Sequence, residues 1–295
     1  MNLSLSRSFP IAKAALAAVV IACAFALACS LAGCASGGTG SSSADADNTS
    51  ASTDGKTLRV AMELAYPPFE TKDDAGNPEG LAVDFIRDFG AAYGYDVQIE
   101  NTAWDGLIPS LQSDKADLVI SSMTITDERK QSVDFSDAYA MAQLAILANA
   151  DSGVASIDDL NQPGKKVAVK TGSTGDVYAT KNLTNAEIVR LADESACVTE
   201  VVQGKADGFL YDQLTIYRNH QANPDTTEAV FIPFQDAEEW GIAVKKGNTE
   251  LLDQLNAFIA QSKTDGEFDR LTEKYLADEK KAFDQYGFKW FFDFE

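Results

Sequence analysis

Beyond residue 57 the chain alternates between two hydrophobic periods. Leu58, Val60 and Met62 recur at every second position and predict a strand. A polar turn at Asp73-Asp74-Ala75-Gly76-Asn77 leads to Leu81, Phe85, Phe89 and Tyr93, spaced for one helix face. Residues 97–100 predict a second strand, Leu107 and Leu111 mark a second helix, and Asp117-Leu118-Val119-Ile120 predicts a third strand. The pattern then restarts. Strands are expected at 144–147, 166–169, 208–210, 229–234 and 240–244, with a helix over 193–203. A long amphipathic helix through Leu251, Leu255, Phe258 and Ile259 follows, then a shorter one with Phe268, Leu271 and Tyr275. Alternation of this kind predicts an α/β fold with mostly parallel strands.

Both ends depart from that pattern. Arg7 and Lys13 precede an almost wholly apolar run over 14–32, and Leu31-Ala32-Gly33-Cys34 places small residues before a cysteine. Residues 1–33 therefore read as a secretory signal, with an uncleaved anchor as the alternative. Residues 35–55 hold Gly, Ser, Thr, Asp and Ala without a large apolar residue, and 34–56 reads as a flexible tether. At the other end, Phe288, Trp290, Phe292 and Phe294 alternate with polar residues, broken by Phe291. That is half a strand signature, and 278–295 is expected to be a tail packed on the domain surface.

The net charge of −21 makes nucleic acid a poor partner. Of four cysteines, Cys23 and Cys29 leave with the signal and Cys34 follows it directly. Cys197 is left without a partner, in an apolar run where it reads as a small core residue. His220 is the sole histidine and sits where a helix ends before Pro224, which suits a capping role. A histidine-rich zinc site is excluded, and a Ser-His-Asp triad would rest on that one residue. No cofactor or metal is expected.

Candidate chemistry clusters where strands end, the edge at which α/β sheets collect ligands. Glu63-Leu64-Ala65-Tyr66-Pro67-Pro68-Phe69-Glu70 leaves the first strand, and its prolines forbid helix and further pairing. Ser121-Ser122-Met123-Thr124-Ile125-Thr126-Asp127-Glu128-Arg129 follows the third strand. Thr126 is an N-cap candidate there, and Arg129 offers a planar fork for a carboxylate. Thr171-Gly172-Ser173-Thr174-Gly175 repeats the small polar turn without the Gly-Lys-Ser/Thr ending of a phosphate loop. Asp212 ends the strand through Tyr211. An anion cradle with a separate carboxylate describes a zwitterion receptor.

Residues 57 to about 277 resemble the family 3 periplasmic amino-acid-binding proteins. The resemblance rests on Tyr66-Pro67-Pro68-Phe69-Glu70, Gly106-Leu107-Ile108-Pro109-Ser110-Leu111, Thr124-Ile125-Thr126-Asp127-Glu128-Arg129-Lys130, Val133-Asp134-Phe135-Ser136-Asp137, and Ala206-Asp207-Gly208 before Asp212. The start also looks like a lipobox, which implies lipid on Cys34 and an extracytoplasmic, membrane-anchored monomer. The resemblance implies two lobes joined by two hinge strands, near 144–150 and 231–235. Lobe one would hold 57–146 and 236–277, and lobe two 147–235. It further implies that Arg129 grips the ligand α-carboxylate, with hydrogen bonds from Ser122, Thr124, Ser173 and Thr174. Asp212 would hold the α-ammonium, and Tyr66 and Trp104 would sandwich the side chain. Glu63, Ser121, Lys170 and Tyr211 would line the far end.

The implied function is delivery of a polar amino acid to an ABC permease and ATPase encoded elsewhere. Glu63 and the aromatics favour a basic side chain such as arginine, lysine or histidine. Lys170 opposes this: a Glu63–Lys170 pair would read an amide such as glutamine, or the two would neutralise each other. The rival readings are a sensor module and a cleft enzyme, a dehydratase or murein lyase. The enzyme would need Glu63 or Asp212 as its acid. Asp212 and Arg129 are already accounted for by the two ends of a zwitterion, so binding without turnover is expected.

Overall fold

The computed structural model describes residues 56–286 and 289–294. The expected signal over 1–33 and the expected tether, Cys34 included, lie outside the described residues except for Lys56.

Two five-stranded sheets carry the fold. The first runs in the order Tyr95–Asn101, Lys56–Met62, Leu118–Val119, Ala243–Lys245, Val133–Phe135. Lys56–Met62 lies between parallel neighbours, with Val60 opposite both Ile99 and Leu118. Ala243–Lys245 runs antiparallel to both of its neighbours. The second sheet is ordered Glu187–Leu191, Lys166–Lys170, Gly208–Asp212, Leu144–Asn149, Thr227–Val230. Its first three strands are parallel; Leu144–Asn149 opposes Gly208–Asp212 and pairs Leu144 with Asp212. The α/β expectation of two sheet-bearing lobes therefore holds, with antiparallel strands inserted in each sheet.

Helix Leu81–Tyr93 shows how the pattern sets the packing. Leu81, Phe85 and Phe89 are fully buried on one face, while Tyr93 at its end is exposed. Gly94 closes the helix in the left-handed conformation and returns its N–H to the Gly90 carbonyl. The same face meets Phe268 of helix Glu267–Tyr275 and Phe258 of helix Thr249–Ser262, with ring centroids 5.2 and 5.1 Å from Phe85. Cys197 is fully buried in the second lobe, and His220 lies in the last turn of helix Gln213–Ala222, against Thr227.

Three expectations shift. Leu144–Asn149 is a strand of the second sheet along its whole length, so the first crossing between lobes lies at Gln143 and not over 144–150. The strand expected over 229–234 ends at Val230, leaving the residues after it to make the second crossing. The run 240–244 divides at Gly241-Ile242 into Glu238–Trp240, paired with Ala140–Ala142, and Ala243–Lys245.

The C-terminal segment is not a strand where described. Ala277–Tyr286 is a helix, and the consecutive residues Trp290 and Phe291 are both buried, which a two-residue alternation cannot achieve. Phe291 accepts a hydrogen bond at its carbonyl from the Met141 N–H, 2.7 Å away. Its ring lies 5.1 Å from Phe69 and 5.5 Å from Trp240. Replacing a fully buried Phe by Ala removes its transfer energy and leaves a cavity. We predict that Phe291→Ala lowers unfolding stability by about 3–5 kcal/mol in denaturant titration. A loss below about 1 kcal/mol would show that the segment does not belong to the core.

Candidate functional site

The ends of both sheets converge on a cleft lined from both lobes. Glu63, Tyr66, Trp104, Ser121, Ser122, Thr124 and Arg129 line it from the first lobe. Ser173, Thr174, Tyr211 and Asp212 line it from the second. Lys170 alone of the expected residues does not face the cavity. It lies behind Glu63, whose carboxylate takes its ammonium in a buried ion pair.

Local folding puts these groups in place. Glu63 and Ser121 are neighbours because they end adjacent strands, and the Glu63 N–H donates to Ser121 Oγ at 3.0 Å. The loop after Glu63 closes on itself through paired backbone hydrogen bonds between Tyr66 and Glu70. Thr126 caps the short helix that begins at Asp127 by accepting the Arg129 N–H, which returns Arg129 towards the cleft. In the second lobe, Gly172 has φ 73°, a conformation that costs glycine little. That turn presents its carbonyl to Arg129 Nη2 at 3.1 Å. Gly175 lets helix Thr174–Asn182 pack on the strand ending at Asp212, since a Cβ there would meet the Leu210 carbonyl oxygen at 2.4 Å. Asp212 caps the next helix, accepting from the Leu214 and Thr215 N–H groups at 2.9 and 3.1 Å.

The charges divide into a satisfied pair and two open groups. Glu63 and Lys170 neutralise each other, and Lys170 and Arg129 each lie 5.2 Å from the Trp104 ring centroid. Among the described residues the Arg129 guanidinium donates to the Thr124 and Gly172 carbonyls and has no ion pair. Asp212 has none either, and burial raises its pKa against the opposing hydrogen bonds. Glu194, on helix Glu194–Val202, has its carboxyl pushed up to about 8, first by burial and then by the charge of Asp212. Glu70 is buried, and desolvation holds its carboxyl well above the usual range despite a hydrogen bond from Ser122 Oγ at 3.1 Å. Ser122 itself has φ 47°, an uncommon conformation for a residue with a Cβ.

The expected serine and threonine residues all line the cavity, yet each of their hydroxyls has a protein partner. Thr124 and Thr174 both donate to Glu238 Oε2, at 2.9 and 2.7 Å. Ser173 Oγ caps its helix by accepting the Asp176 N–H. Among the described residues the buried Tyr66 hydroxyl makes no hydrogen bond of good geometry, with the Asp212 carboxylate its nearby acceptor; burial, then Asp212, raises its pKa well above the usual value. The Tyr66 ring packs on Phe69, Trp240 and Tyr211, with centroids 5.6, 5.9 and 6.4 Å away.

Four lining residues were not anticipated: Glu70, Leu144, Glu238 and Trp240. Glu70 was visible as part of the proline loop. Glu238 had no signal of its own, because it opens a strand from an acidic stretch that reads as solvated surface. Among the described residues no group of three or more His, Cys, Asp or Glu is arranged to hold a metal ion. No described helix is long and apolar enough to cross a membrane.

Comparison with known proteins agrees with this geometry. Residues 58–278 match the bacterial extracellular solute-binding proteins, family 3. A probable histidine-binding protein of Neisseria gonorrhoeae is 37% identical over 260 residues, covering 87% of this chain and 95% of that protein. A solved ancestral arginine-binding protein bound to arginine is 36% identical, with a TM-score of 0.69, covering 75% of this chain and 98% of that one. An ancestral amino acid-binding protein, described as a precursor of cyclohexadienyl dehydratase, is 38% identical with a TM-score of 0.68 and covers 74% and 94%. With its two sheets, its cleft and a match across most of its length, the chain belongs to the bacterial extracellular solute-binding proteins of family 3.

Proposed function

We propose that this chain binds a cationic L-amino acid in the cleft and hands it to an ABC permease and ATPase, while lipid on Cys34 tethers it to the outer face of the cell membrane. The observation that carries the reading is a pair of open charges on one cavity, the Arg129 guanidinium and the Asp212 carboxylate. They come from different lobes and match the two ends of a zwitterion. Contacts completed only when the lobes meet around the ligand would make closure follow binding.

The preference for a cation follows from the remaining charges. Glu63 cancels Lys170, so that pair does not repel a basic side chain. Asp212 and Glu238 line the cleft as acidic groups beside Arg129. Burial disfavours the ionised forms of Asp212, Glu70 and Glu194, and a ligand cation offsets that cost. Relatives named for histidine and arginine binding are in keeping with this reading, while another is named for glutamine and an ancestral arginine-binding protein is also solved bound to glutamine, so the preference rests on the charges of the cleft. Micromolar binding requires about −8 kcal/mol, within reach of two charge-assisted ends plus aromatic contact. The same assignment uses Asp212 for binding, so we infer no turnover, although one structural neighbour is a precursor of a dehydratase.

Calorimetry is expected to give tighter binding of arginine, lysine or histidine than of glutamine, and tighter glutamine binding would overturn the cation preference. Asp212→Asn keeps a capping side chain but removes the charge, and is expected to weaken the preferred ligand about 100-fold. A loss of less than about threefold would remove Asp212 from the site.

A pH dependence follows from Glu194. Its folded-state pKa of about 8 lies above the ordinary 4.5, so the stability linked to its proton is present below 4.5 and lost as pH rises through 8. A cation docked near Asp212 favours the ionised form, so binding releases a proton and tightens as pH rises towards 8. Heats measured at about pH 7 in buffers of different ionisation enthalpy are expected to differ accordingly. Identical heats would contradict the coupling.

A further inference from the structure

Glu238 holds a position between the lobes that the zwitterion reading does not use. It begins strand Glu238–Trp240, just after the second crossing, and lines the cleft. Its Oε2 accepts from Thr124 of the first lobe at 2.9 Å and from Thr174 of the second at 2.7 Å. Its Oε1 accepts from the Gln235 side-chain amide, in the crossing itself, at 2.7 Å. One carboxylate thus ties both lobes and the segment that joins them.

A threonine hydroxyl has one proton to donate and two lone pairs to offer. In both threonines that proton is committed to Glu238, so a ligand meets only lone pairs there. Lone pairs accept from ammonium or guanidinium donors and repel a carboxylate. The charge of Glu238 on the same wall acts in the same sense.

We propose that Glu238 is a specificity-determining residue, setting Thr124 and Thr174 as acceptors and, through its charge, favouring a ligand with a cationic side chain over one with a neutral amide. This rests on the amino-acid-binding reading and extends it. It also revises the expected role of the two threonines, whose lone pairs then meet ligand donors while the Arg129 guanidinium, hydrogen-bonded to the Thr124 and Gly172 carbonyls, receives the carboxylate.

Two variants separate the charge from the hydrogen bonds. Glu238→Gln keeps a carbonyl oxygen able to accept both hydroxyls and removes the charge; Glu238→Ala removes both. Each is titrated by calorimetry with arginine and with glutamine on one preparation, so that any loss of active protein cancels in the ratio. Glu238→Gln is expected to lower the arginine-to-glutamine affinity ratio about tenfold, and Glu238→Ala to lower it further. A ratio unchanged in both variants, with wild-type binding intact, would overturn this proposal alone and leave Glu238 as a strut. Wild-type protein that binds neither amino acid would overturn the amino-acid reading and this proposal with it.

Discussion

A guanidinium and a carboxylate, set on facing walls and left without ion-pair partners among the described residues, are the constraint around which this protein is organised. Burying either charge costs free energy that its hydrogen bonds to backbone groups only partly return. Arg129 leans on two carbonyls and on Trp104, and Asp212 on two helix N–H groups. Each is held in place, and each retains electrostatic demand. A small zwitterion meets both demands at once only where the two lobes approach.

Much of the remaining structure keeps those walls in register. The sheets bring the ends of Lys56–Met62, Leu118–Val119, Lys166–Lys170 and Gly208–Asp212 to the cleft. The Glu63–Lys170 pair links the lobes and removes a positive charge that would otherwise oppose a basic ligand. Behind Tyr66, the aromatic cluster of Phe69, Trp240 and Phe291 continues the cavity wall into the core. A C-terminal segment lying mostly beyond the family match therefore supports residues that line the binding cleft.

The residues that follow strands directly were legible in the sequence, because strand ends in an α/β fold face the ligand edge. Arg129, Asp212, Ser121 and Thr174 were placed on that ground and through the family resemblance, and all of them line the cavity. Glu238 and Trp240 were not, since they enter from a strand beginning just after the second crossing, whose position no local period reveals. The first crossing was misplaced for a related reason. An apolar run such as Leu144–Asn149 reads the same in a sheet interior as in a connection, and only its pairing with Gly208–Asp212 decides. The aromatic tail misled in another way: its alternation is accidental, and burial of Trp290 together with Phe291 follows from contacts distant in sequence.

The most direct measurement compares arginine with two analogues, each lacking one end of the zwitterion. Agmatine has no carboxylate to meet Arg129, and 5-guanidinopentanoate has no ammonium to meet Asp212. Calorimetric affinities for both are expected to fall at least about 100-fold below that for arginine, because each leaves one buried charge unanswered. Agmatine or guanidinopentanoate binding as tightly as arginine would contradict the account.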